Sequence, residues 1–211
     1  MRIRCIILSL RVNTVNLESL ELLTIVEGIG SLLSLLCVIL AAKNKISNWP
    51  LAILASLVYS YVFNQNRFFS EAYLQIVFIG FQLYGWWFWS SRNPNKKEKN
   101  IASIPFRSAG VIFLVVLICY WAWFQLYQEL NPDARQPLLD TFLTVLSITA
   151  LFMQARRWIE NWFLWILADI LYVPMFVKGE QYITAALYFV FIGIAVKGYL
   201  MWRDEMKKAP N

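Results

Sequence analysis

Residues 161–172 read N-W-F-L-W-I-L-A-D-I-L-Y, and residues 48–59 read N-W-P-L-A-I-L-A-S-L-V-Y. A shift of 113 positions superposes the two, and the register continues without a gap to residues 89 and 202. Sixteen of the 42 aligned positions are identical, among them Asn48, Trp49, Tyr59, Phe63, Phe78, Gly80, Gly85 and Trp89, which is more than shared apolar composition produces. The same shift pairs Glu27 with Asp140, Ser31 with Thr144, Ser34 with Ser147 and Lys43 with Arg156, so the repeat extends upstream by one more apolar segment. The unit is therefore three segments long.

The composition says what those segments are. The chain has 211 residues, 59% of them hydrophobic and only 15% charged, with a mean hydropathy of +0.53. That apolar excess is beyond what a soluble core of this size uses and marks an integral membrane protein. Windows long enough to span a bilayer fall at 21–42, 48–64, 68–90, 107–129, 136–155, 161–177 and 181–202. The expected fold is all-α, with seven transmembrane helices. The windows at 48–64 and 161–177 are at the short end for spanning, which leaves a six-helix or re-entrant arrangement as the alternative. Residues 1–20 form an arm with no clear signal-peptide cleavage site, and 21–90 hold the first three-helix repeat. A basic linker at 91–106, a connecting helix at 107–129, the second repeat at 136–202 and a tail at 203–211 complete a 3+1+3 layout. Four helices separate each segment from its copy, so the two triplets cross in the same direction. Parallel repeats of this kind are a transporter architecture with the substrate site at the repeat interface; duplication as a mere scaffold is the alternative.

Lys and Arg fix the expected orientation. Six of them (Arg2, Arg4, Arg11, Arg67, Arg135 and Lys178) lie on the side of the N-terminus, and twelve on the other, in loops around residues 43–45, 92–107, 156–157 and 203–208. By the positive-inside rule the N-terminus is outside and the C-terminus cytoplasmic. The net charge of +6 resides in these loops and gives no reason to invoke nucleic acid. Cys5, Cys37 and Cys119 form no disulfide framework and are read as packing residues.

Polar residues inside the spans carry the functional expectation. Trp162, Trp165, Asp169 and Tyr172 fall within an arc of about 80° on one helix. The matching face of the first repeat carries Trp49, Ala52, Ser56 and Tyr59, so the second indole and the charge belong to one copy only. Glu71, Gln75 and Gln82 form a stripe on the third helix, whose copy holds Thr184, Tyr188 and Ala195. Asp140, Thr144, Ser147 and Gln154 form another on the fifth. Charges at bilayer depth face a cavity or a partner. Three stripes therefore imply a polar cavity. Ser31, Ser34, Thr144 and Ser147 are read instead as interhelical hydrogen-bonding groups. An anion among aromatic faces suits a flat cation, for which indole is the best π partner. Trp86, Trp87, Trp89, Trp158 and Trp202 stand at span ends and are assigned to the lipid interface.

The chain has no histidine and no G-x-x-x-x-G-K-[ST] motif, which removes His-based relays, His metal sites and nucleotide hydrolysis by that route. No enzyme, cofactor or metal site is expected, although Asp169 or Glu71 could carry a proton.

N-W-P-L-A-I, E-A-Y-L-Q, Y-G-W-W-F-W and E-N-W-F-L-W-I-L-A-D resemble the PnuC family of bacterial vitamin transporters over residues 24–203. The resemblance implies seven helices arranged 3+1+3, like the SWEET sugar transporters, in the bacterial plasma (inner) membrane. It also implies a W-x-x-W-x-x-x-N/D substrate signature, here Trp162, Trp165 and Asp169. The implied activity is facilitated diffusion of nicotinamide riboside, with a cytoplasmic kinase trapping the product by phosphorylation. Relatives called PnuT carry thiamine and others riboflavin; the neutral ring of riboflavin puts it last. The substrate-contacting set is then Trp162, Trp165, Asp169, Tyr172, Gln75, Glu71, Gln82, Tyr188, Trp49 and Tyr59, and a homo-oligomer is left open.

Overall fold

A computed structural model describes the backbone of residues 2–65, 69–91, 100–130, 137–178 and 182–208, and the side chains of 21–65, 72–91, 100–130, 137–178, 182 and 185–208. Glu71 and Thr184 lie in helices but outside the described side chains, and residues 92–99 of the basic linker lie outside the described residues altogether. The described residues form seven α-helices: α1 (Arg2–Ala42), α2 (Asn48–Gln65), α3 (Phe69–Ser90), α4 (Phe106–Leu130), α5 (Pro137–Ala155), α6 (Asn161–Lys178) and α7 (Tyr182–Lys208).

Five of the seven are long and apolar enough to cross a membrane: Glu21–Ala42 of α1, then α4, α5, α6 and Ala185–Lys208 of α7. Seven such helices were expected. The two that fall short, α2 and α3, carry Ser56, Gln75 and Gln82 together with tyrosines and tryptophans that score near zero on hydropathy scales. Of these residues Ser56 and Gln82 are buried, whereas Tyr61, Tyr73, Trp86 and Trp87 are exposed. Two boundaries also differ from the expected ones. The arm at 1–20 is helical and continuous with α1, whose 41 residues reach about 60 Å at 1.5 Å per residue, and most of the tail at 203–211 prolongs α7.

Around the bundle, α1 packs on α2, α2 on α3, α3 on α5, α5 on α6, α6 on α7 and α7 back on α1. These six close a ring. The helix α4 stands outside it, packed chiefly on α5, with none of its residues fully buried. Leu22, Ile25, Ile29, Leu32 and Leu36 of α1 are exposed at spacings of three and four, a stripe suited to lipid.

The turn from α1 to α2 and the turn from α5 to α6 match bond for bond. Asn44 (φ 52°) and Arg157 (φ 57°) are left-handed. Lys45 N–H donates to the Leu40 carbonyl and Asn44 N–H to Ala41; Trp158 donates to Met153 and Arg157 to Gln154, all at 2.9–3.0 Å. This is the Schellman ending, which satisfies carbonyls that a helix C-terminus leaves without partners. Asn48 and Asn161, both fully buried, then donate to the carbonyls of Lys45 and Trp158 at 2.6 Å.

Four tryptophans form a layer beside these turns. Trp49 meets Trp89 edge-on at 5.3 Å, Trp162 meets Trp202 edge-on at 5.4 Å, and Trp89 and Trp202 lie 6.2 Å apart. Trp89 Nε1 donates to the Ala155 carbonyl at the end of α5, and Trp202 Nε1 to the Ala41 carbonyl at the end of α1, both at 3.0 Å. Each indole thus satisfies a terminal carbonyl of a helix in the opposite half of the ring. Trp89 and Trp202 were expected at the lipid interface; they are instead buried at the bundle centre, because a span-end indole can face inward when a carbonyl waits for its N–H. Trp86 and Trp87 are exposed, as an interfacial position requires, and Trp158 is half-buried, edge-on against Phe152. Ile101 is buried beside the layer, and Ala102 exchanges backbone hydrogen bonds with Arg157 and Ile159, tying the segment before α4 to the α5–α6 turn.

The layer needs glycine. A Cβ at Gly198 would stand 2.6 Å from the Trp162 ring, and one at Gly85 would overlap the Trp49 ring; at Gly80 and Gly193 it would meet nothing. Gly85→Ala and Gly198→Ala should each lower the melting temperature in detergent, corresponding to about 1–3 kcal/mol of overpacking. Gly80→Ala and Gly193→Ala should be neutral or slightly stabilising. Equal melting of all four variants would contradict the packing described.

Candidate functional site

Two adjoining spaces lie in the bundle, one inside the ring and one reaching out to α4. The inner one, about 220 Å³, lies against the tryptophan layer; its wall includes Trp49, Tyr59, Gln82, Gln154, Trp162 and Ser56. The outer one, about 390 Å³, is walled by Trp123, Tyr127, Asp140, Tyr172 and Phe176. Gln75, Phe78, Trp165, Asp169 and Tyr188 belong to both walls and mark the passage between them.

Each side chain reaches this position for a local reason. On α6, Trp162, Trp165 and Asp169 share a face with Tyr172 by helical spacing, and α6 is held between α5 and α7. Trp165 Nε1 donates to Gln154 Oε1 of α5 at 3.0 Å, which fixes the plane of the indole. Across the cavity, Gln82 Nε2 of α3 donates to Ser56 Oγ of α2 at 3.0 Å, leaving the buried Gln82 Oε1 without a partner among the described residues. Tyr59 OH and Ser31 Oγ share a hydrogen bond at 2.9 Å. Tyr188 lies 5.1 Å from Tyr172 and 4.9 Å from Phe176, ring centre to ring centre. Asp169 is only 5% exposed.

The electrostatics follow from what the walls contain. Among the described residues, two carboxylates, Asp169 and Asp140, and no Lys or Arg line the two spaces. In a medium of low dielectric an uncompensated carboxylate attracts a cation strongly, and indole and phenol faces add a quadrupole of the same sense. The free Gln82 carbonyl, together with the buried indole N–H groups of Trp49 and Trp162, which have no hydrogen-bond partner among the described residues, offers polar contacts to a bound molecule. The arrangement can hold a flat, positively charged solute with hydrogen-bonding substituents.

Of the ten residues expected from sequence to contact substrate, nine line one or both spaces; only Glu71, outside the described side chains, is not placed. Tyr172 falls in the outer wall alone, and Trp162 packs its ring on Gly198, forming floor as much as wall. Sequence reasoning did not single out Trp123 and Tyr127 of α4, or the link from Gln154 to Trp165. Ser34, read as an interhelical hydrogen-bonding group, and Cys37, read as a packing residue, line the inner space as well.

Residues 24–204 match the model of the nicotinamide mononucleotide transporter family. The chain belongs to that family, the PnuC transporters. It is 28% identical to the nicotinamide riboside transporter PnuC of Escherichia coli over 208 residues, covering 87% of each chain. It is 27% identical to the riboflavin/roseoflavin transporter RibM of Streptomyces davaonensis over 182 residues, covering 83% of each. The fold is also that of a crystal structure of the vitamin B3 transporter PnuC, with a TM-score of 0.68, 21% identity and coverage of 88% of this chain and 83% of that one. The chain is thus a PnuC-family membrane transporter.

A series at Trp165 separates clamp from packing, because its counterpart Ala52 occupies the matching slot with a small residue. Trp165→Phe should weaken solute binding by about 0.5–1 kcal/mol and Trp165→Leu by up to about 2 kcal/mol, with little change in melting temperature. Titration on purified variants reads the order. Equal affinities for Phe and Leu would remove the cation–π contact.

Proposed function

We propose that the protein takes up a flat aromatic cation, nicotinamide riboside first among candidates, by facilitated diffusion across the bacterial inner membrane. The observation that carries this reading is the position of Asp169, shared by two spaces whose described walls hold indoles and phenols but no Lys or Arg. Similarity to PnuC of E. coli supports the choice of nicotinamide riboside. Thiamine, also an aromatic cation, satisfies the same chemistry. The likeness to RibM favours riboflavin as a second reading, but a neutral ring gains little from a buried carboxylate.

In this reading α1–α3 and α5–α7 are two parallel repeats with α4 between them, supported by the matched turns at Asn44 and Arg157 and the matched Trp–Gly contacts. The N-terminus is outside, in keeping with the cation count, so the tryptophan layer closes the cytoplasmic end and the outer space faces the periplasm. Trp165, Tyr188 and Asp169 hold the charged ring; Gln75, Gln82 and Tyr59 contact polar substituents; Trp49 and Trp162 form the floor. Transport rocks one repeat against the other around this site. Nothing in the chain couples uptake to nucleotide hydrolysis, so accumulation depends on a cytoplasmic kinase that phosphorylates the solute.

Uptake of labelled nicotinamide riboside, thiamine and riboflavin into proteoliposomes without an ion gradient tests the proposal. Nicotinamide riboside should equilibrate fastest. Asp169→Ala should weaken its binding by about 1.5–3 kcal/mol, the size of a charge-assisted contact, while the protein still folds. Riboflavin uptake alone, or wild-type affinity in the Asp169 variant, would overturn it.

A further inference from the structure

The outer space has features that a mere entrance does not need. Its wall repeats the chemistry of the inner one: a carboxylate, an indole and phenol rings, with no Lys or Arg among the described residues. Asp140 Oδ2 accepts a hydrogen bond from Tyr127 OH at 3.1 Å, which ties the carboxylate to α4. Tyr172 and Phe176 are stacked at 5.6 Å and 17°, presenting one continuous aromatic face. The Trp123 indole N–H is buried without a hydrogen-bond partner among the described residues. Leaving such a donor unsatisfied costs about 1–3 kcal/mol, which a bound acceptor would recover.

Two of these groups come from α4. Most of that helix is exposed, yet Trp123 and Tyr127, four residues apart and hence on one face, are turned toward the ring. The helix has no counterpart under the 113-residue shift, and Glu27, the counterpart of Asp140, is exposed. The α4 side of the outer wall is therefore built once, whereas its Tyr172–Phe176 pair has a stacked copy in Tyr59 and Phe63.

We propose that the outer chamber is a second binding station for an aromatic cation bearing a hydrogen-bond acceptor, formed by Asp140, Trp123, Tyr127 and the Tyr172–Phe176 face, where solute halts before it reaches Asp169. The proposal rests on the reading above that the solute is an aromatic cation. Asp140 neutralises the charge, the stacked pair covers the ring, and Trp123 Nε1 donates to the acceptor, for which a carboxamide oxygen is suited. The station gives α4 a part in solute capture.

The test is titration of 1-methylnicotinamide and of N-methylpyridinium, which lacks the acceptor, into the purified full chain and its variants, with melting curves as folding controls. In Asp169→Asn, which weakens the inner site, a weaker class of 1-methylnicotinamide binding should remain. Adding Asp140→Asn or Trp123→Leu should reduce that class by about tenfold, the size of one charge or indole contact, while Asp140→Glu keeps it. N-methylpyridinium should bind more weakly than 1-methylnicotinamide to Asp169→Asn, and equally weakly to Asp169→Asn with Trp123→Leu. Loss of all binding in Asp169→Asn, or residual binding indifferent to Asp140 and Trp123, would overturn the station. Asp140-dependent binding of 1-methylnicotinamide beside a wild-type protein that binds no vitamin would uphold the station and sink the vitamin reading. A single class of vitamin binding, abolished by Asp169→Asn, would do the reverse.

Discussion

A carboxylate inside a bilayer-spanning helix has nowhere to go but inward, and the rest of this structure is arranged around that constraint. Asp169 lies 5% exposed in the middle of α6, so the helices around it must supply a polar interior. They do so by closing a ring of six, with Ser56, Gln75, Gln82, Gln154 and Tyr188 turned to the centre. Among the described residues no Lys or Arg lines either wall, and those walls are polar and aromatic.

The tryptophan layer closes one end of that interior and joins the two halves of the ring. Its hydrogen bonds cross between halves: Trp89 reaches the end of α5 and Trp202 the end of α1. Within each half an indole lies on a glycine, Trp49 on Gly85 and Trp162 on Gly198. Against this near-symmetric base the cavity wall is asymmetric. Where α6 has Trp165 and Asp169, α2 has Ala52 and Ser56. One half carries the charge, and the other contributes small and neutral groups that leave room for a solute.

Much of this was legible in the sequence, for reasons that can be named. The 113-residue shift isolated Asp169 and Trp165 as the positions where two otherwise similar segments disagree, and helical spacing put them on one face. The same shift aligned Asn48 with Asn161, but their shared role in the two turns is visible only in the hydrogen bonds of the structure. Trp89 and Trp202 were misread because an indole at the end of a span has the same sequence signature whether it meets lipid headgroups or a helix-terminal carbonyl. Trp123 and Tyr127 escaped notice because α4 has no copy to compare with and its inward face is two residues wide. The bond from Trp165 to Gln154 joins different helices and has no local signature at all.

The central claim is that the interior selects its solute by positive charge. Nicotinamide riboside and its reduced dihydro form share shape, sugar and carboxamide and differ chiefly in the charge on the ring. Competition between them for the purified protein is therefore the most direct measurement. The oxidised, cationic form is expected to bind about tenfold more tightly or better, the size of one charge-assisted contact. Equal affinity for the two forms would contradict the account.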